Sequence, residues 1–124
     1  MTRVVIGIGS NVDPSDRRVA KAIDYLRTAL DKAVSSSVYG TQPEGDARYP
    51  YSNAVIAGYT DLTRHEIINL LKRYEADNGR TPAQKAVDIV PIDLDLVVYG
   101  EEILRPGDFN ASYFMTGYRQ LEPV

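Results

Sequence analysis

Two aspartates in the last third of the chain have a spacing that suits a metal site. Asp93 and Asp95 lie in the segment PIDLDLVVY, where acidic and apolar residues alternate as in a half-buried β-strand. Alternate side chains of a strand share a face, so both carboxylates should point the same way, roughly 7 Å apart. Mg²⁺ binds one or two carboxylates together with water and phosphate oxygens, and would relieve their mutual repulsion. Two aspartates that simply face solvent are the alternative, and spacing alone leaves both open. The apolar residues expected to face the core are Ile92, Leu94, Leu96 and Val98.

Three further groups of residues are candidates for ligand contacts, each with an ordinary structural alternative. Tyr51 and Asn53 share a strand face and would suit a flat, hydrogen-bonding heterocycle, although a strand edge and a turn cap explain them too. Gly-Ser-Asn at 9–11 offers backbone donors to a phosphate, but a tight turn is the simpler interpretation because neither GxGxxG nor a Walker A motif is present. Arg80 and Lys85 are candidate phosphate contacts or isolated surface cations.

Composition narrows the classes of protein and of partner. The 124 residues, 44% hydrophobic and 25% charged, predict one globular domain over 1–124. A net charge of −3 gives no long-range attraction to nucleic acid or to an anionic membrane. The absence of cysteine and the single His65 exclude thiolate sites and multi-histidine metal sites within one chain. The N-terminal apolar run is too short for a signal peptide or a membrane span, so we expect a cytoplasmic protein.

Hydrophobic periodicity predicts a sheet covered by two amphipathic helices. The predicted strands are 3–9, 34–41, 52–60 and 89–99, with 102–104 as a candidate edge strand. Apolar residues at 19, 23, 26 and 30 predict the first helix; the second should begin at a Thr63–Glu66 capping box and end at Gly79. Residues 42–50 and 81–86 should be loops. The order βαββαβ indicates an α+β, ferredoxin-like sandwich, with a mainly antiparallel sheet and both helices on one face, although competing topologies exist.

Five segments, in order, resemble one known family. Besides the first strand ending in GSN at 9–11, they are SSVYGTQP at 36–43, YSNA at 51–54, EADNGR at 75–80 and PIDLDL at 91–96. The last four resemble the SSxYxTxP, YxNA, ExxxGR and xIDLDL motifs of the 6-hydroxymethyl-7,8-dihydropterin pyrophosphokinases. Each motif is weak alone, but the ordered set over about 3–100 is specific.

The resemblance implies a ferredoxin-like enzyme of folate biosynthesis. Such enzymes transfer pyrophosphate from ATP to the hydroxymethyl group of the pterin and release AMP. Asp93 and Asp95 would hold two Mg²⁺ ions between the pterin hydroxyl and the ATP phosphates, and Arg80 would share in catalysis. The residues implied to bind the pterin are Thr41, Gln42, Glu44, Tyr51, Asn53 and Phe114. Those implied to bind the nucleotide are Glu75, Arg80 and Lys85.

The chain departs from the family in its arginine-rich loop. Only Arg80 is kept there; the other family arginine and tryptophan positions fall at Pro82, Ala86, Val87 and Val90, and Gly107 stands where the family has histidine. Lost phosphate-facing arginines predict a rate lower by on the order of a thousandfold or more. Three interpretations remain. The chain is a pyrophosphokinase in which Arg80, Lys85, Arg105 or Arg119 compensates; a non-catalytic relative that binds a pterin or nucleotide; or an interaction module, for which the aspartate pair has little use.

Overall fold

A buried, β-branched run near the N-terminus forms the central strand of one sheet. The computed structural model describes residues 1–42 and 50–121. Its elements are β1 (Thr2–Ser10), α1 (Ser15–Ala29), β2 (Asp31–Ser35), β3 (Tyr39–Thr41), β4 (Tyr51–Thr60), α2 (Arg64–Asp77), a 3-10 helix (Pro82–Val87), β5 (Asp93–Tyr99), β6 (Glu102–Ile103), α3 (Pro106–Phe109) and α4 (Ser112–Gln120). Helices and an antiparallel sheet share one chain, which confirms the predicted α+β class.

The pairing of β1 on both edges fixes which residues meet. β1 pairs with β4 along its whole length, from Thr2 opposite Thr60 to Ser10 opposite Ser52, and with β5 on its other side. The strand order is β2-β4-β1-β5-β6, and β3 pairs with the start of β4. These pairings are antiparallel, so the end of β1 lies between the beginnings of β4 and β5.

The two faces of the sheet bury different clusters. On the first face, β1 contributes Val4, Ile6 and Ile8 to a core shared with α1 and α2. On the second face, Val5, Val55 and Val97 pack with residues of the C-terminal region, among them Phe114 and Leu121. The two predicted helices therefore do cover one face, and α4, which the sequence did not predict, packs on the other.

A β-bulge in β5 makes one predicted core position wrong. Val5 pairs with Val98 and Ile6 with Leu96, so the register skips Val97. Ile92, Leu94 and Leu96 lie in the first-face core as predicted, but Val98 joins the second-face cluster beside Val97. An extra residue on one strand places two consecutive side chains on the same face, which strict alternation does not anticipate.

The predicted strand at 34–41 is divided by Ser36. β2 ends at Ser35 and β3 begins at Tyr39. The buried Ser36 hydroxyl accepts a hydrogen bond from the Val55 backbone N–H at 2.9 Å, and the Ser36 N–H donates to the Val55 carbonyl at 2.8 Å. The Ser36 side chain thus replaces a backbone carbonyl as the acceptor of the Val55 N–H, and the regular strand pairing ends at this point.

The predicted capping box of the second helix is confirmed by reciprocal bonds between Thr63 and Glu66.

The segment between α2 and β5 differs from the predicted loop and strand. Residues 82–87 form a 3-10 helix, begun by a capping box between Thr81 and Gln84 with Pro82 at its first position. The strand begins at Asp93 because β1 ends at Ser10. Before that point Asn11 pairs with Val90 through its backbone N–H and its side-chain oxygen. Among the described residues, no helix is long and apolar enough to cross a membrane.

Gly117 lets α4 approach the sheet closely, and we expect Gly117→Ala to destabilise the fold. A Cβ there would lie 2.6 Å from the Tyr39 hydroxyl oxygen and 2.7 Å from Val55 Cγ2. Overpacking of this kind costs about 1–3 kcal/mol, more than alanine gains in helix propensity. Urea unfolding would measure the change. Gly107→Ala is the control because a Cβ at Gly107 would have nothing within 4 Å; equal stability of the two variants would contradict the expectation.

Candidate active site

A cavity of about 560 Å³ opens where the end of β1 meets β4, β5 and the two C-terminal helices. It collects most of the residues that the sequence and the resemblance singled out. Those that line it are Thr41, Gln42, Tyr51, Asn53, Asp93, Asp95 and Phe114. They come from four separate elements and from residue 42, so the strand pairing brings them together.

Two glycines of β1 form the floor of this cavity. Gly9 pairs with Asn53 on one side and with Asp93 on the other, and Gly7 pairs with Asp95. All five residues share the second face of the sheet, since paired residues and alternate residues of a strand point the same way. A Cβ on Gly9 would lie 3.1 Å from the Asn53 side-chain oxygen. Because β1 has no side chain at these two positions, space remains between the Asn53 amide and the two carboxylates.

The two aspartates form a half-buried pair, with side chains 31% and 18% exposed, that retains a proton at neutral pH. Burial is the main cause that raises the pKa of Asp95, to about 8, and the hydrogen bond and negative charge of Asp93 raise it further. Burial would raise the pKa of Asp93 as well, but its hydrogen bonds with Asp95 and Arg80 lower it below the usual range. One carboxylate is thus ionised and the other is protonated.

Arg80 binds the aspartate pair through Asp93, and Glu75 in turn binds Arg80. Arg80 Nη1 donates to Asp93 Oδ1 at 2.7 Å and to the Ile92 carbonyl at 3.1 Å, and lies 3.3 Å from Glu75 Oε2. Glu75 is only 4% exposed, and its Oε2 accepts the Leu94 backbone N–H at 2.7 Å. Burial raises the pKa of Glu75, an effect that the Leu94 hydrogen bond and the charge of Lys72 oppose. Glu75 therefore anchors both the start of β5 and the guanidinium of Arg80.

The opposite wall is polar and partly aromatic. The buried Asn53 donates from Nδ2 to Thr41 Oγ1 at 2.5 Å, which links β4 to β3. Tyr51 lies on the same face, two residues earlier, and its pKa is raised by burial and by the charges of Asp93 and Asp88. Phe114 closes the second face with only 2% of its surface exposed, within van der Waals reach of Gly7.

Comparison with known proteins agrees with this geometry. A family model described as 7,8-dihydro-6-hydroxymethylpterin-pyrophosphokinase matches residues 5–123. The chain belongs to this family. The resemblance seen in the motifs is therefore confirmed over nearly the whole sequence.

Individual relatives vary in how much of their length the chain covers. A folate synthesis bifunctional protein of Arabidopsis thaliana is 36% identical over 103 residues, which are 79% of this chain and 21% of that protein. A 2-amino-4-hydroxy-6-hydroxymethyldihydropteridine pyrophosphokinase of Porphyromonas gingivalis is 30% identical over 105 residues, covering 80% of this chain and 70% of the relative. A pyrophosphokinase of the same name from Aquifex aeolicus is 30% identical over 106 residues, covering 85% of this chain and 66% of the relative. The chain thus spans about a fifth of the plant protein's length.

Some residues implied by the pyrophosphokinase resemblance do not line the cavity. Glu75 is buried beneath it, and Arg80 reaches it through Asp93. Lys85 lies exposed on the 3-10 helix and does not line the cavity. Glu44 lies outside the described residues. None of the three residues that the resemblance implies for the nucleotide lines the cavity, whereas five of the six implied for the pterin do.

Sequence reasoning missed several cavity residues in the C-terminal region. Asp108, Ser112 and Tyr113 line the cavity together with Arg105, which was considered only as a replacement cation. They belong to α3, α4 and the residue before α3, where no helix was predicted. Pro106 at the first position of α3 was the one available signal, since proline is favoured there.

The carboxylate pair fits a Mg²⁺ site. Asp93 and Asp95 share a face, line the same cavity and hold a proton that a cation would displace. Two carboxylates are enough for Mg²⁺, which keeps waters and binds phosphate oxygens besides. Among the residues that the structure describes, no group of three or more His, Cys, Asp or Glu side chains forms a fuller metal cluster.

The protonated Asp95 predicts a pH-dependent stability in cation-free buffer. Its folded pKa of about 8 lies above the ordinary value of 3.8, so the folded state keeps a proton that the unfolded state has lost. Stability should therefore fall as pH rises from about 4 to about 8, by at most about 1.4 kcal/mol per pH unit for one proton. Urea unfolding with EDTA at several pH values, for wild type and Asp95→Asn, measures this. The variant should lack that slope; parallel profiles would contradict the prediction.

Proposed function

We propose that the protein transfers the pyrophosphoryl group of ATP to the hydroxymethyl oxygen of 6-hydroxymethyl-7,8-dihydropterin, with Mg²⁺, in folate biosynthesis. The observation that carries the proposal is the pairing of Gly9 with both Asn53 and Asp93. The Asn53 amide and the Asp93 carboxylate thus lie on either side of the same floor, and the proposal assigns the amide to the pterin and the carboxylate to the cation. Family membership supports the same reaction.

The polar wall is the proposed pterin site. A pterin is flat and carries hydrogen-bonding groups around its edge, so it needs apolar or aromatic faces and fixed polar partners. Tyr51 offers an aromatic surface, Phe114 lines the cavity although it is almost fully buried, and Asn53 is held in one orientation by its bond to Thr41. Gln42 lines the same wall, and Glu44 is carried over from the family pattern alone.

Asp93 and Asp95 are the proposed Mg²⁺ ligands, with two ions expected from the family pattern. When bound, Mg²⁺ would supply positive charge to the phosphate oxygens. Arg80 keeps Asp93 ionised and in place at 2.7 Å, and Glu75 keeps Arg80 from moving. The chain thus presents one carboxylate ready for a cation and a second that becomes ready by losing its proton.

The reaction balances without covalent participation by the protein. The hydroxymethyl oxygen forms a bond to the β-phosphorus of ATP, and the bond from that phosphorus to the α,β-bridging oxygen breaks. AMP leaves with the bridging oxygen, and the hydroxyl proton is released. Positioning and charge neutralisation are the main contributions a protein makes to such a transfer.

A non-catalytic relative that binds the same ligands is the second candidate. It is favoured by the 3-10 helix over Pro82–Val87, where only Lys85 is basic although the family has several arginines between Arg80 and Asp93. If the chain is an enzyme, a low rate is expected, because stabilisation of the phosphate charge is reduced.

We also propose that residues 1–124 act as one pterin pyrophosphokinase-like domain of ferredoxin-like type. The strand order supports this assignment: β1 lies in the centre between β4 and β5, with β2 at the far edge of β4. Helices α1 and α2, which connect these strands, lie on the same face.

AMP release from ATP and Mg²⁺, with and without the pterin, tests the proposed activity. We expect pterin-dependent AMP that falls at least a hundredfold in Asp95→Ala, because the variant loses a ligand for the charge-neutralising cation. Asp61→Ala is the matched control, since Asp61 is an exposed aspartate beside the N-terminus. No pterin-dependent AMP from wild-type protein at high concentration would exclude the enzyme and favour the binding relative.

The empty floor of the cavity gives a prediction for pterin binding. In Gly9→Ala, the new Cβ would lie 3.1 Å from the Asn53 oxygen and 3.5 Å from Tyr51 Cδ2. The methyl group would shift Asn53 and fill part of the floor, so we expect pterin affinity to fall about tenfold or more, the loss of roughly one good contact. Fluorescence titration with the pterin measures this, with Gly40→Ala as the control because a Cβ there has only one neighbour, at 3.8 Å. Unchanged affinity in Gly9→Ala would exclude this floor as part of the pterin site.

A further inference from the structure

The described lining of the cavity has more acidic than basic side chains, so few of its groups could bind an anionic ligand. Its described lining carries three carboxylates, those of Asp93, Asp95 and Asp108, and one basic side chain, Arg105. Polyphosphate ligands are strongly anionic and require positive charge at the point of transfer. Arg80 does not line the cavity, and its Nη1 already binds Asp93, Glu75 and the Ile92 carbonyl. Arg105 is therefore the residue to consider.

Arg105 is held in one orientation by Asp108, which is itself bound by Tyr113 of α4. Its Nε–H donates to one oxygen of Asp108, and the Tyr113 hydroxyl donates to the other oxygen of the same carboxylate. Asp108 lies on α3 and Tyr113 on α4, so two elements fix the carboxylate. A side chain anchored in this way loses less conformational entropy when it binds a ligand.

The terminal amino groups of Arg105 remain available. Nη1 lies 3.9 Å from Asp95 Oδ1, which is an ion-pair distance and too long for a hydrogen bond. Within the described residues, the bond from Nε to Asp108 is the only hydrogen bond of this guanidinium. A guanidinium has five N–H donors, so the four on its terminal nitrogens can still bind an anion in the cavity.

We propose that Arg105 contacts the phosphate oxygens of the pyrophosphoryl group, and that Asp108, held by Tyr113, is its positioning residue. The inference rests on the proposed function for the identity of the group, and on the geometry of the cavity for the residue. Arg105 lies next to Asp95, so it would share the phosphate charge with a cation bound to the aspartate pair.

The proposal explains how the chain tolerates the loss of arginines from the segment before β5. A guanidinium from a later part of the chain, just before α3, takes over part of their task. It also favours arginine over lysine, because a planar guanidinium can bind Asp108 through one N–H and present a parallel pair to a phosphate, which an ammonium cannot do.

Binding of magnesium pyrophosphate tests Arg105 apart from turnover. Isothermal titration calorimetry compares wild type with Arg105→Gln, Arg105→Lys and Arg64→Gln. Arg64 is the matched control because its side chain is 50% exposed and paired with Glu102, while that of Arg105 is 48% exposed. We expect affinity to fall about tenfold or more in both Arg105 variants, the typical loss of a charge-assisted contact, and to stay unchanged in Arg64→Gln.

The outcomes separate this inference from the proposed function. A selective loss in the Arg105 variants supports it, even if wild-type protein forms no AMP with the pterin, in which case the proposed activity alone fails. Equal binding by wild type and Arg105→Gln, or no pyrophosphate binding by wild type, overturns it. With an active enzyme, Arg105→Gln should lower kcat at least a hundredfold and leave the pterin KM within about twofold.

Rescue by free guanidinium tests the role of Asp108. Added to Arg105→Ala at concentrations well below those that unfold the protein, guanidinium should restore part of the pyrophosphate affinity, because Asp108 still offers its anchor. The double variant Arg105→Ala, Asp108→Asn should show no such recovery at equal thermal stability. Equal recovery in both variants would overturn the positioning role.

Discussion

The site depends on a central strand that has no side chains on one face at one end. Gly7 and Gly9 of β1 lie between Val55 and Asn53 of β4 and the aspartates of β5. Backbone pairing can hold β4 and β5 at fixed positions on either side because it does not require a side chain from β1. The space that a Cβ at each position would enter is the floor of the cavity. One constraint thus supplies both the position of the functional groups and the room between them.

The carboxylate pair carries an energetic cost that its neighbours only partly offset. Two adjacent, half-buried acids cannot both ionise easily, and the charge that remains needs a partner. Arg80 provides that partner, and the buried Glu75 holds Arg80 while also satisfying the backbone of Leu94. The second carboxyl keeps its proton instead. Such local frustration is expected where a site is selected for binding and not for stability.

The sequence predicts well those parts of the molecule that follow a regular period. The shared face of Asp93 and Asp95 and the capping box of α2 are found where strand alternation and cap chemistry place them. The errors have different causes. Ser36 interrupts a strand through a side-chain bond to a residue 19 positions away, which no local pattern shows. The helices after Pro106 are short and fold against the second face, so tertiary packing and not propensity determines them.

The β-bulge at Val97 determines which face of the sheet each following residue of the β5–β6 hairpin occupies. A strand without it would place Val98 on the face of α1 and α2, and every later residue of the β5–β6 hairpin would change sides as well. Ile103 pairs with Val98, Leu104 packs with the first-face core, and the next residue therefore turns toward the cavity. Because of this one extra residue, the guanidinium of Arg105 lies beside Asp95 on the second face of the sheet and not on the first face. An insertion or deletion of a single residue between the bulge and α3 would leave the aspartates in place and reverse the side from which their cationic neighbour arrives.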